Sequence, residues 1–175
     1  VKQHGFTLIE LIVVIAIIGL LLSLATLNFT TMTIKSNIEG QIKKMHSDLM
    51  TARIEAMDRN TYHFVTLNAK QYSVTEDTVP SNCTTNPPKC VYVAGNNPTP
   101  YNSPTMTNAI LWNSGNGPYT PSGAEIIFDN RGLVVPGTTG TISIPDTVGA
   151  AYDCILIETT RTGMGAMNGG TCVPK

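Results

Sequence analysis

The sequence is short of charge. Only 13% of its 175 residues are Asp, Glu, Lys or Arg, and these nearly cancel, 11 basic against 12 acidic, for a net charge of −1. Without a basic excess there is no broad electrostatic footprint for nucleic acid, and without an acidic run there is no disordered acidic tail. Histidine is scarce as well. His4, His46 and His63 are scattered, and no Cys-x-x-Cys or His-x-x-x-His spacing points to a metal centre. Residues 129–132 lack the alternating oxygen ligands of a calcium loop. A Gly-x-Ser-x-Gly elbow, a P-loop and a Rossmann fingerprint are all missing, so the residues predict neither an enzyme nor a bound cofactor or metal. Trp112 is the single tryptophan, and it reads as a core plug rather than a ligand platform. The length suits one domain of modest size.

Charge is scarcest in residues 5–29, GFTLIELIVVIAIIGLLLSLATLNF, where Glu10 is the one charged side chain. Apart from Gly19, residues 11–22 contain nothing polar and nothing smaller than alanine. A helix of these residues is about 36 Å long, enough to cross a hydrocarbon core of about 30 Å. The segment therefore predicts membrane insertion by a single pass. Glu10 opposes it, because an acidic group at the centre of a membrane helix costs about 2.5–3.5 kcal/mol, and less near an end. Two readings follow. Glu10 is hydrated at the interface, or it is kept for a partner charge such as a free α-amino group. An ordinary secretory signal competes with both, since Lys2 supplies a basic start and Ser23-Leu24-Ala25 a small-x-small cleavage site. Glu10 at the mouth of the apolar run and the length of that run weigh against it.

The helical period continues beyond Phe29. Ile34, Ile38, Ile42, Met45, Leu49, Ala52 and Ala56 recur at steps of four and three and draw one apolar stripe. Lys35, Glu39, Lys43, Lys44, Asp48, Glu55 and Asp58 fall off it, and Glu39 and Lys43 are spaced for an i,i+4 pair. Gly40 weakens the helix by about 1 kcal/mol relative to alanine. The expectation is one helix over 7–59, apolar all round in its first half and amphipathic in its second. The first half wants lipid or sister helices, the second a sheet.

Residues 61–67 and 71–75 read as a hairpin around Asn68-Ala69-Lys70. From 80 to 121 the texture changes, with eight of the eleven prolines. This reads as a long irregular excursion holding short strands at 91–94 and 110–113. Residues 124–128 and 133–135 flank Asp129-Asn130-Arg131-Gly132 as a second hairpin. Strands follow at 141–144 and 152–158. The Gly-rich tail, 161–175, predicts little beyond a strand end and a loop. Four cysteines behind an export signal suggest an oxidising compartment. Three pairings are open. Loop length favours Cys83 with Cys90, closing the Pro-rich loop, and Cys154 with Cys172, pinning the tail; free buried cysteines are the alternative. Asn82-Cys83-Thr84 matches a weak glycosylation sequon.

Gly5-Phe6-Thr7-Leu8-Ile9-Glu10 before an apolar run resembles the class III signal of type IV pilins and type II secretion pseudopilins. The resemblance implies a leader over 1–5, cleavage between Gly5 and Phe6 by a prepilin peptidase, N-methylation of Phe6, and attraction between Glu10 and the α-amino group of a neighbouring subunit. Leu27 stands where pilin-like chains often carry proline. Ile127-Phe128-Asp129-Asn130-Arg131-Gly132 and Ala52-Arg53-Ile54-Glu55-Ala56 resemble the GspH/FimT class of minor pilins and pseudopilins. The fold this implies is α+β, a long N-terminal helix packed on an antiparallel β-sheet domain. The organisation expected is leader 1–5, membrane and filament-core helix 6–29, amphipathic helix 30–60 and β-rich domain 61–175. The function implied is that of a minor structural subunit of a type IV pilus or type II secretion pseudopilus. Its partners are other pilins, the peptidase and an inner-membrane assembly platform, and its C-terminal domain is periplasmic. A module for DNA uptake or surface adhesion and a major pilin are the alternatives. The basic Gly-Arg-x-Arg ending of DNA-uptake relatives reads Arg161-Thr162-Gly163-Met164 here, so nucleic-acid binding is not expected.

Overall fold

The computed structural model describes residues 6–76, 104–115 and 117–175, and of residues 23–28 the backbone alone. The expected leader with Gly5, the strand at 91–94, the Cys83 and Cys90 pairing and the Asn82 sequon lie outside the described residues.

One helix, α1 (Leu8–Arg59), dominates the chain. Thr7 caps its start in extended conformation, and the Thr7 hydroxyl accepts a bond from the Glu10 N–H at 3.3 Å. This satisfies one of the amides that an α-helix leaves orphaned at its N-terminus. Asn60 ends it in the left-handed region (φ 54), donating its N–H to Ala56 O. Asparagine tolerates that conformation better than other residues with a Cβ. The backbone runs unbroken past Gly19, Leu27 and Gly40.

Two antiparallel sheets receive the second half of α1. The first contains β1 (His63–Asn68), β2 (Gln71–Glu76) and β4 (Ser122–Phe128), in the order β2-β1-β4. The second contains β3 (Leu111–Asn113), β5 (Gly140–Ser143), β6 (Cys154–Ile157), β7 (Thr162–Asn168) and β8 (Thr171–Pro174), in the order β3-β5-β6-β7-β8. The helix lies against β1 and β4 of one and β6 and β7 of the other. The fold is α+β. Ile38, Ile42, Met45, Leu49, Ala52 and Ala56 are buried among Val65, Leu67, Tyr72, Ile126, Phe128, Ile142 and Ile155. Trp112 is buried in the same core. Ile34 departs from the predicted stripe and is 47% exposed, so burial of the helix begins one turn later, at Ile38.

Polar contacts fix the helix at several points. Tyr72 donates its hydroxyl to Asp48 at 2.5 Å, and burial, then this bond, push the Tyr72 pKa far above its ordinary value. Glu39 reaches Lys43 at 3.4 Å as the spacing predicts, and its other oxygen accepts from the Ala151 N–H at 2.9 Å. That backbone bond is the main reason the Glu39 pKa is lowered. Arg53 donates to Thr160 O at 3.0 Å.

The expected hairpin at 124–128 and 133–135 closes as a single antiparallel bridge, Phe128 with Val134, flanked by bonds from Asp129 N–H to Leu133 O and from Val135 N–H to Ile127 O. Val134 N–H turns instead to Thr159 O, just past β6, so the second arm is also the seam with the other sheet. One expectation is corrected. The tail is not a loop. β7 and β8 form a hairpin across Gly169 and Gly170, both at positive φ (56 and 85). A two-residue turn with both central residues left-handed matches the twist of the flanking strands.

His63, fully buried at the start of β1, gives the joint between α1 and the first sheet a pH dependence. Its Nε2 lies 3.7 Å from Glu55 Oε2. Burial pushes its pKa down, more than Glu76 and Glu55 pull it up. Between about 6.5 and the lowered value, the unfolded chain binds a proton that the folded one refuses, so stability falls as the pH drops through that window. Glu125 and Asp153, pushed up by burial, act with the opposite sign at acid pH. The expected result is that His63→Gln loses less melting temperature than the parent on going from about pH 7 to about pH 5.5; equal losses would show that His63 does not carry the effect.

Candidate functional site

The first half of α1 presents its described side chains to the outside. Phe6 is 85% exposed, and every described side chain from Thr7 to Leu22 is exposed as well. The second half of the same helix buries its stripe, so the difference lies in the sequence rather than in the helix. A stripe can pack on a sheet, whereas a cylinder that is apolar on every side cannot be covered by one. Monomeric soluble proteins rarely leave contiguous apolar surface above a few hundred Å² uncovered. Among the described residues, no helix is long and apolar enough to cross a membrane.

Glu10 stands in the first turn of this sleeve. Thr7-Leu8-Ile9-Glu10 has the spacing of a capping box, in which the acidic residue reaches back to the cap amide. Half of the box forms here, since Thr7 accepts from Glu10 N–H. Among the described residues, the Glu10 carboxylate makes no bond of its own. It is exposed, and it is acidic where the helix dipole favours a negative charge. Phe6 and Glu10 therefore lie one turn apart at the open end of the helix, while Gly5 lies outside the described residues.

The Phe-Asp-x-x-Gly stretch forms a second constellation, at the other end of α1. Asp129 is buried, and its Oδ1 accepts the Arg131 N–H at 2.9 Å and the Leu133 N–H at 2.8 Å. Its Oδ2 pairs with the Arg131 guanidinium at 2.6 Å. Gly132 turns at φ 72, and a Cβ there would lie 2.8 Å from the Met57 sulfur and 3.2 Å from Arg53 Cγ. Asn130 donates to the Asn60 side chain at 2.9 Å. The turn thus locks the C-terminal end of α1 onto the seam between the sheets, which makes it a structural joint. Sequence reasoning identified the turn but not its target, because Arg53, Met57 and Asn60 give no local sign of facing it.

Cys154 and Cys172 are joined, with Cα atoms 5.9 Å apart, and pin β8 to β6. Cys83 and Cys90 lie outside the described residues. Sequence reasoning also missed the Tyr72–Asp48 bond. Asp48 was legible only as a residue off the apolar stripe.

An apolar helix ending in an uncommitted carboxylate, continued by an amphipathic half wrapped in antiparallel sheets, defines a type IV pilin-like structural subunit. Residues 1–26 match the model of the prokaryotic N-terminal methylation motif. Residues 41–163, most of the chain, match the model of the Type II transport protein GspH, and the chain belongs to that family. Over 37 residues it is 49% identical to a "Probable minor fimbrial protein" of Dichelobacter nodosus, a stretch covering 21% of this chain and 23% of that one. The chain thus spans under a quarter of that relative in the match. No solved structure matches.

Proposed function

We propose that this protein is a minor pilin or pseudopilin, built into or onto the tip of a type IV pilus or a type II secretion pseudopilus. In this reading, residues 6–29 insert in the bacterial inner membrane with the sheet domain in the periplasm. Prepilin peptidase cuts between Gly5 and Phe6 and N-methylates Phe6. The inner-membrane assembly platform then transfers the subunit into a bundle of sister helices. The observation that carries the reading is the exposed apolar sleeve with a single carboxylate at its open end. Lateral packing of such helices covers the sleeve. Glu10 sets the register, because a carboxylate moved into a low-dielectric bundle is tolerated only beside a positive group, and the α-amino group of a neighbour's Phe6 supplies one.

The test is incorporation of Glu10→Ala and Glu10→Gln into sheared filaments, relative to the amount held in the membrane. Both are expected to remain in the membrane and to fall by at least about tenfold in the filament, the equivalent of about 1.4 kcal/mol of lost pairing. Glutamine keeps the size and hydrogen bonding of glutamate, so normal incorporation of Glu10→Gln would rule out charge pairing. The DNA-uptake reading gains nothing from the C-terminal cations. Arg161 pairs with Glu158, and Lys175 Nζ donates to Ala151 O and sits 5.9 Å from the Tyr152 ring.

A further inference from the structure

The register of the second sheet divides its side chains cleanly. Trp112, Ile142 and Ile155 form a row on the core side. The neighbouring row, Asn113, Thr141, Leu156 and Gly163, faces away from the helix. The disulfide then changes the shape of that outer face. It joins β6 to β8 although β7 lies between them. Strands two places apart in a flat sheet are about 9.5 Å apart, whereas these two Cα atoms are 5.9 Å apart. The β7–β8 hairpin is therefore folded toward the outer face of β6. A trough of about 480 Å³ lies between the hairpin tip and the outer row, within the size range of small-molecule sites.

The trough is lined by Ser114, Thr139, Thr141, Thr159 and Thr171, with Leu156 among them. Among the described residues, none of these five hydroxyls makes a hydrogen bond. Elsewhere the hydroxyls of Thr33, Thr51 and Thr138 are committed to backbone carbonyls. The one ionisable lining side chain, Glu158, is held by Arg161. The surface thus combines neutral groups that can both donate and accept with apolar contact at Leu156. It offers no uncommitted cation for an anionic ligand. An added peptide strand would need the backbone groups of a sheet edge, and the trough lies on a sheet face.

We propose that this trough binds a neutral oligosaccharide. The sugar hydroxyls would exchange hydrogen bonds with Thr141, Thr159 and Thr171, and a C–H face would rest on Leu156. The site is independent of the filament reading, because none of its residues belongs to α1.

The test is amide NMR of the full-length protein in a phosphocholine detergent, chosen because alkyl glycoside head groups would compete. The probes are cellotetraose, chitotetraose and a sulfated disaccharide. The expected result is a set of shifts confined to Thr141, Leu156 and Thr171 and their neighbours, saturating with one of the neutral sugars at about 10 mM or below. The double variant Thr141→Val/Thr171→Val, with an otherwise unchanged spectrum, is expected to bind about tenfold more weakly, as two lost neutral hydrogen bonds imply. No shift with either neutral sugar, equal binding by the double variant, or tighter binding of the sulfated sugar would overturn the proposal. So would a photo-crosslinker at Thr141 that captures a neighbouring subunit in assembled filaments, since the trough would then be a subunit contact. Loss of assembly in Glu10→Ala leaves the sugar titration unaffected, so failure of one proposal is distinguishable from failure of the other.

Discussion

Asp129→Ala lowers the melting temperature by roughly 10 °C. Asp129 Oδ1 is the acceptor for two backbone amides, those of Arg131 and Leu133, in a turn that is itself packed on the helix. Alanine leaves both amides without that acceptor, and a buried donor left unsatisfied costs about 1–3 kcal/mol. A total of about 3 kcal/mol corresponds to roughly 10 °C, at about 2–4 °C per kcal/mol for a chain of this size. The pair with Arg131 contributes little to this figure, because the guanidinium is largely exposed. Asp129→Asn separates the two effects. Both backbone bonds go to the same oxygen, so the asparagine carbonyl can keep them while the charge is lost. Its expected cost is under about 1 kcal/mol, with most of the melting temperature retained. If thermal unfolding showed the two variants equally destabilised, charge rather than the turn geometry would be the source of stability.

Gly165→Ala disrupts the C-terminal hairpin. An alanine Cβ at this position would sit 2.1 Å from the Val173 carbonyl oxygen and 2.6 Å from its carbon, and both are backbone atoms. No rotamer can relieve that contact, and the disulfide prevents β8 from drawing away from β6. The cost is expected at about 4 kcal/mol or more, in the range that marks a broken packing arrangement. Gly163, two residues earlier on the same strand, is the internal control. Its added Cβ would meet Pro174 Cβ at 3.5 Å, an ordinary contact, so Gly163→Ala should stay within about 1 kcal/mol of the parent. Amide hydrogen exchange across residues 162–174 checks both. Fast exchange in Gly165→Ala and parental protection in Gly163→Ala is the expected pattern, and parental protection in both would mean that β7 and β8 do not approach this closely.

The helix was legible in the sequence because burial repeats with the helical period from Ile38 to Ala56, and because Thr7 and Glu10 carry a cap signature. Ile34 shows the limit of that reasoning, since the stripe continues in sequence beyond the point where the sheets end. The sheets were legible wherever β-branched and aromatic residues alternate, as in β1, β2 and β4. β7 was not, because Thr162, Gly163, Met164, Gly165 and Ala166 carry no apolar alternation. The strand exists through its neighbours β6 and β8 and the two-glycine turn rather than through its own side chains. The segment at 133–135 pairs with β4 across the turn as expected, but through one bridge only, because the Val134 amide turns to Thr159. At the open end of the helix, Glu10 stands out in the sequence by its charge alone. The joint at Asp129 did not, because the residues it locks are about 75 positions away in the chain but adjacent in space.

The most direct test of the pilin-like account is the intact mass of the protein extracted from membranes of cells that also express a prepilin peptidase. The account predicts a chain that begins at Phe6 and carries one added methyl group. A chain beginning at Thr26, as cleavage after Ala25 would leave, would contradict it. The apolar half of α1 would then be a discarded secretory signal, and no filament could be built from it.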